Sequence, residues 1–292
     1  MNVTSIRSRA RLSVLVLAAG LGLAPAIFAQ YGGGGMGQQQ QPPPQPQQPI
    51  QGAQQPPPLE APKVDPEEEA AYKAFYEIKP DALDQEVKLG EQFVQKYPTS
   101  HYAEEVYARL MQAYFATQKY DKMYEAGDKA LITNPDDVRV LALIGWVIPH
   151  NYDPNDLDAE RRLDKAEKYE THALAVIPTM TKPAGMTDDQ FNKAKATITA
   201  QAHSGLGLVY FRRQQFENSV KELQAARQVD TQVDAVDYYV MGVELVQLKR
   251  PADAADAFQK CSDVPGGLQG RCKQMADQSK KDAAAQPATA KP

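Results

Sequence analysis

The sequence predicts an all-α chain built from stacked helical hairpins, and three observations carry that expectation. Between Glu104 and Pro135, Tyr107, Leu110, Met111 and Tyr114 fall on one helical face, and Tyr120, Met123 and Ala130 on a second, with Gln118-Lys119 as the turn. The same comb returns near Ala200 and again near Ala235, an offset of 35 residues. No stretch alternates with a period of two between hairpin turns, so no strand pattern competes.

The elements follow in order. Asp65-Pro66-Glu67-Glu68-Glu69 supplies an N-cap acceptor, a proline for the first helical position and acids for the positive end of the helix dipole, so the first helix begins near Pro66. Its apolar face is Ala71, Phe75 and Ile78, and the next helix offers Leu83, Val87, Gly90, Phe93 and Val94. This is the most degenerate copy, as terminal repeats tend to be. After Glu104–Pro135, Asn134-Pro135-Asp136-Asp137 opens a split copy: Leu141, Ile144, Gly145 and Ile148, then an insertion from Pro149 to Leu157, then Ala166, Ala173 and Pro178. Thr187-Asp188-Asp189-Gln190 reads as a capping box opening a long helix toward Arg213. Leu206, Gly207 and Tyr210 pair with Phe216, Leu223 and Ala226, and Tyr238, Met241, Gly242 and Leu245 pair with Ala254, Phe258 and Cys261. A helix from about Leu268 to Lys280 has a polar side and is expected to cover the last hairpin.

This comb resembles the tetratricopeptide repeat family, in which small residues at the eighth and twentieth positions let paired helices approach while large residues fill the gaps. The resemblance implies a solenoid of about four to five repeats plus a capping helix, spanning residues 64–282. The run Gln92 to Ala103 is also similar to tetratricopeptide domains of bacterial outer-membrane assembly lipoproteins and of a periplasmic cell-division coordinator. No cysteine closes the N-terminal apolar run, so the lipid attachment of the former is missing here.

Arg7, Arg9 and Arg11 precede an apolar run from Leu12 to Leu23, and Ile27-Phe28-Ala29 offers a cleavage site, so residues 1–29 read as a signal peptide cut after Ala29. The competing reading is an uncleaved membrane anchor. Loss of three arginines and no acids takes the net charge from −5 to −8. An acidic chain without a basic cluster argues against nucleic acid or an anionic membrane surface as partner. Residues 30–63 are rich in Gly, Gln and Pro and have too little to bury, so a disordered linker is expected, able to reach on the order of 90 Å at ~3.1 Å per residue. Residues 283–292 form an expected disordered tail.

Nothing in the sequence marks catalysis: there is no HExxH, paired CxxC, GxSxG or phosphate-binding glycine loop, and no cofactor or metal is expected. His101, His150, His172 and His203 are scattered, and Gly205-Leu206-Gly207 follows no strand. The insertion acids Asp153, Asp156 and Asp158 invite a calcium reading, but Leu157 stands where an EF-hand needs a ligand, and helix capping accounts for the same residues. Cys261 and Cys272 are the only cysteines; a disulfide suits an exported chain, and the alternative is that Cys261 serves as the small core residue of its repeat.

The resemblance places side chains of each first helix on a concave groove. Carried over, these are Gln112, Phe115, Trp146, Gln201, Leu208, Phe211, Arg212, Tyr239, Val243 and Val246. None matches the lysine or asparagine of the carboxylate-clamp sub-family. An apolar, aromatic groove suits an amphipathic helix or an extended segment with apolar anchors. The expectation is therefore a non-catalytic adaptor of the bacterial cell envelope that binds a protein or peptide partner; the alternatives are a membrane-anchored structural accessory whose groove is closed and, third, a metal-binding or enzymatic protein with a site assembled from the insertion acids and a histidine.

Overall fold

The computed structural model describes residues 65–79, 81–229 and 234–285; the expected signal peptide and Gly/Gln/Pro-rich linker lie outside them. Among the described residues there are eleven α-helices and no strand. They divide into two compact units, residues 65–140 with 181–191, and residues 141–180 with 192–285.

In the first unit α1 (Pro66–Tyr76) starts as the sequence dictates, with the Asp65 carboxylate accepting from the Glu67 amide at 2.9 Å. Its Phe75 is buried against α2 (Leu83–Lys96), whose Phe93 is also buried. Arg109 of α3 (Ala103–Ala116) ties the first two helices to the third: Nε donates to Glu86 at 2.7 Å and Nη1 to the Tyr76 carbonyl at 3.3 Å, while the guanidinium lies over the Phe75 ring. α3 then pairs with α4 (Tyr120–Thr133), and Leu110, Met111 and Tyr114 are buried with Met123 and Ala130. Each fully buried large side chain stabilises the fold by about 1.5–3 kcal/mol. The capping box is present, Thr187 N donating to Gln190 Oε1 at 3.0 Å and Gln190 N to Thr187 Oγ1 at 3.2 Å.

The second unit takes in most of α5 (Val138–His150), then α6 (Ala159–Val176), most of α7 (Asp188–Arg212), α8 (Phe216–Val229), α9 (Ala235–Gln247), α10 (Pro251–Ser262) and α11 (Gln269–Ala285). Leu208, Val220, Leu223, Val240, Met241, Leu245, Phe258 and Ala276 form one core cluster. Close approach depends on glycine here: a Cβ on Gly207 would stand 2.8 Å from Leu223, and one on Gly242 2.5 Å from Phe258. Cys261 and Cys272 are fully buried and disulfide-bonded, with Cα atoms 5.8 Å apart, so α11 is covalently joined to α10. α11 runs to Ala285, beyond the expected end at residue 282, because Ala283, Ala284 and Ala285 are the strongest helix formers and extend it at little cost.

Three hairpins share one turn. Gln118, Gln214 and Lys249 adopt left-handed backbone with φ of 57°, 60° and 58°. In each, the next residue's amide reaches back to a carbonyl in the last helical turn: Lys119 to Tyr114, Gln215 to Tyr210 and Arg250 to Leu245. This is the Schellman closure, in which glycine is the usual occupant of the left-handed position. The α5–α6 pair instead uses the insertion, where Asp153 accepts from the Asn155 amide and Asp156 from the Asp158 amide, each at 2.9 Å. These carboxylates make side-chain turns; Asp158, at the N-cap of α6, makes no capping bond. The capping explanation of the insertion is corrected accordingly.

Candidate binding surface

α5, α7 and α9 are the first helices of successive hairpins in the second unit. Gly205 brings α7 against α5, since a Cβ there would lie 3.0 Å from the Trp146 Cα, and the Ser204 hydroxyl joins α7 to α9 by donating to Asp237 at 2.7 Å. Of the residues expected on a groove, Trp146 lies on α5, Gln201, Phe211 and Arg212 on α7, and Tyr239, Val243 and Val246 on α9. Trp146 is half-buried, its ring against that of His150 with centroids 3.8 Å apart. His150 Nδ1 sits 2.7 Å from the Trp146 carbonyl. A carbonyl only accepts, so Nδ1 carries the proton, and burial lowers the pKa of this imidazole.

Arg212 Nε donates to the Pro149 carbonyl at 3.0 Å, and its guanidinium lies 5.3 Å from the Tyr152 ring centroid and 5.6 Å from that of Phe211. Tyr239 is half-buried between Phe258 and Arg271, whose guanidinium is 5.1 Å from its ring centroid. Phe211 and Val243 pack on the core with one side free to solvent, Gln201 is half-buried, and Val246 is 42% exposed. Leu208 is the exception. Expected on the surface, it is 2% exposed and belongs to the core cluster with Val220 and Leu223 of α8 and Val240 and Met241 of α9, since residues of both neighbouring helices gather around it. Gln112 and Phe115 lie half-buried on α3 in the other unit.

The sequence reading missed the acids beneath these helices. Glu170, Asp237 and Glu244 are all fully inaccessible. Asp237 accepts from Ser204 and has Arg227 at 3.3 Å, yet burial pushes its carboxyl up to about 7. Burial likewise pushes Glu244 to about 8, the neighbouring Ser219 hydroxyl, which donates to the Gly207 carbonyl, pulling only weakly the other way. In the first unit Glu105 is pushed to about 7 by burial, against the pull of Arg139 at 3.6 Å. An acid standing where the comb reserves a large apolar residue, as Glu170 does between Ala166 and Ala173, is the one sequence signal that could have pointed to this layer.

Among the described residues no three His, Cys, Asp or Glu side chains converge as a metal site. The expected groove residues on these three helices are mostly apolar and aromatic, with one arginine and one amide among them.

The sequence matches no family model and no curated protein. Solved structures with a similar course include MamA from Desulfovibrio magneticus RS-1, at 16% identity, 71% of this chain, 97% of that one and a TM-score of 0.45. TTC0263, a thermophilic TPR protein of Thermus thermophilus, is similar at 13% identity, 74% of this chain, 99% of that one and 0.44. PilW, a widely conserved type IV pilus biogenesis factor, is similar at 15%, 78%, 97% and 0.48. With helix pairs that carry the repeat comb at their contacts, the described residues have an all-α fold of tetratricopeptide-type helical hairpins.

Proposed function

We propose that this chain is a non-catalytic adaptor that holds a protein or peptide segment, through apolar anchors, against the face formed by α5, α7 and α9. The observation that carries the reading is that Phe211, Tyr239 and Val243 come from successive first helices, pack against the core and stay only partly buried, with Val246 exposed on the same helix as Tyr239 and Val243. Aromatic side chains already held by neighbours lose little freedom on binding, which favours them as energetic centres of an interface. The export signal read from residues 1–29 supports a partner in the cell envelope. No helix among the described residues is long and apolar enough to cross a membrane. Gln112 and Phe115 on α3 offer the first unit a contact patch of the same kind.

The test is affinity capture from envelope extract with the full mature chain, comparing wild type with Val246→Glu and with Trp146→Ala/Tyr239→Ala. A partner retained by wild type and lost by Val246→Glu, whose melting should be unchanged, supports the adaptor. Equal capture by all three baits removes this face from consideration.

A further inference from the structure

Glu170 occupies a place built for it. In the α7–α8 and α9–α10 hairpins the glycine of the first helix faces a large apolar side chain of the second, Gly207 against Leu223 and Gly242 against Phe258. In the α5–α6 hairpin the glycine is Gly145 and the residue that faces it is Glu170, where a Cβ on Gly145 would stand 2.5 Å from the carboxyl carbon and 2.6 Å from Oε1. A second glycine is given over to the same group: a Cβ on Gly205 of α7 would collide with Oε1. The carboxyl is thus enclosed between α5 and α7, next to the backbone of Trp146, fully inaccessible and with no hydrogen-bond partner for either oxygen among the described residues.

No charge among the described residues compensates it. Burial alone acts on the group and holds its pKa well above the ordinary carboxylate range. The other ionisable groups on the three helices are held elsewhere or face solvent. Arg139 on α5 pairs with Asp137, Arg161 and Arg162 on α6 pair with Asp158 and Asp156, Lys165 lies over the Tyr169 ring and Lys168 is exposed. On α7 Asp188 pairs with Lys182, Asp189 is exposed and Tyr210 donates to Glu167. His150 on α5 is bound to the Trp146 carbonyl, and Glu160, Asp164 and Glu167 on α6 to Arg213. On α7, Lys195 reaches the Pro178 carbonyl, His203 reaches Glu222 and Arg212 reaches the Pro149 carbonyl, while Lys193 is exposed; His172 on α6 is half-exposed. An ionised carboxylate in this slot would have neither water nor a counter-ion, whereas the neutral acid fills it much as Leu223 fills its counterpart.

We propose that Glu170 is a proton-dependent lock: in its neutral form it completes the packing of α5, α6 and α7, and loss of the proton opens that packing. The lock makes folding of this unit respond to pH through one identifiable proton, whether or not a partner occupies the neighbouring face. In the sign of the linkage, the folded chain keeps a proton that the unfolded chain releases near pH 4.3, so stability is greatest below that pH and falls as pH rises toward the folded-state pKa.

The test is urea unfolding of the full mature chain from pH 5.5 to 9, followed by fluorescence of Trp146, the sole tryptophan, for wild type, Glu170→Gln and Glu170→Leu. Asp237, Glu244 and Glu105 contribute equally to all three proteins, so the difference isolates Glu170. Below the folded-state pKa of Glu170, the unfolding constant of wild type should rise about tenfold more per pH unit than that of either variant, the effect of one retained proton. Should Glu170→Gln not fold, Glu170→Leu carries the comparison with the side chain that the α7–α8 hairpin already uses. Parallel pH dependences, differing by less than about twofold per pH unit, overturn the proposal.

Discussion

The α9–α10 and α5–α6 hairpins solve one packing problem with different chemistry. Both bring two helices together over a glycine, but Gly242 is filled by Phe258, a ring at 0% exposure, and Gly145 by the carboxyl of Glu170. The first hairpin is closed by a tight left-handed turn at Lys249, the second by an insertion of side-chain turns. The difference shows that the contact geometry of such a hairpin demands a volume and not a hydrophobe. An acid of suitable length serves, at the cost of being kept neutral.

The comparison breaks most visibly at Phe258. Phe258→Ala leaves a cavity at the centre of the cluster around Leu245 and Ala276 and should cost about 3–5 kcal/mol by urea denaturation. A loss below about 1 kcal/mol would mean that the α9–α10 contact is not the anchor described. Cys272→Ala removes the covalent tie between α10 and α11 and should cost about 2–3 kcal/mol, read as a lowered denaturation midpoint under oxidising conditions and no difference from wild type under reduction. Glu170→Leu makes the α5–α6 contact apolar like its neighbours and should stabilise the chain at pH 8 by about 1–3 kcal/mol, because an unpartnered polar group leaves the interior. Destabilisation at that pH would show that the slot is shaped for the carboxyl rather than merely tolerant of it. The smallest effect is at the turns: Gln214→Gly relieves a left-handed glutamine and should raise stability by up to about 1 kcal/mol, with Gln118→Gly behaving alike.

The helices were legible because their signals are local and redundant. Asp65-Pro66 and Thr187 to Gln190 state where helices begin, and the spacing of Leu206, Gly207 and Leu223 states which faces meet. The candidate surface was legible only in outline. Trp146, Phe211, Tyr239, Val243 and Val246 keep a side toward solvent, but Leu208 does not, since a register count along α7 cannot report that Val220 and Val240 cover it. The buried acids were not legible. Spacing marks Glu170 as an irregularity, yet the enclosure that makes it neutral is assembled from Gly145 and Gly205, on helices distant in sequence. The turn at Gln118-Lys119 was legible, but the left-handed backbone at Gln118, Gln214 and Lys249 was not: that conformation is a property of the chain path, and glutamine or lysine there gives no warning.

The bond between Cys261 and Cys272 bears on association between molecules as well as on stability within one. An array of hairpins ends in a face like those its own hairpins bury, and such an end can accept another molecule's hairpin and grow into a fibre. Among the described residues α11 is the last helix and lies against α10. A helix held only by packing leaves and returns, exposing the end each time it leaves. Joined to α10 by sulfur, it stays tethered beside that face when it leaves, so the oxidised chain is expected to self-associate less than the reduced one, a difference that sedimentation would read.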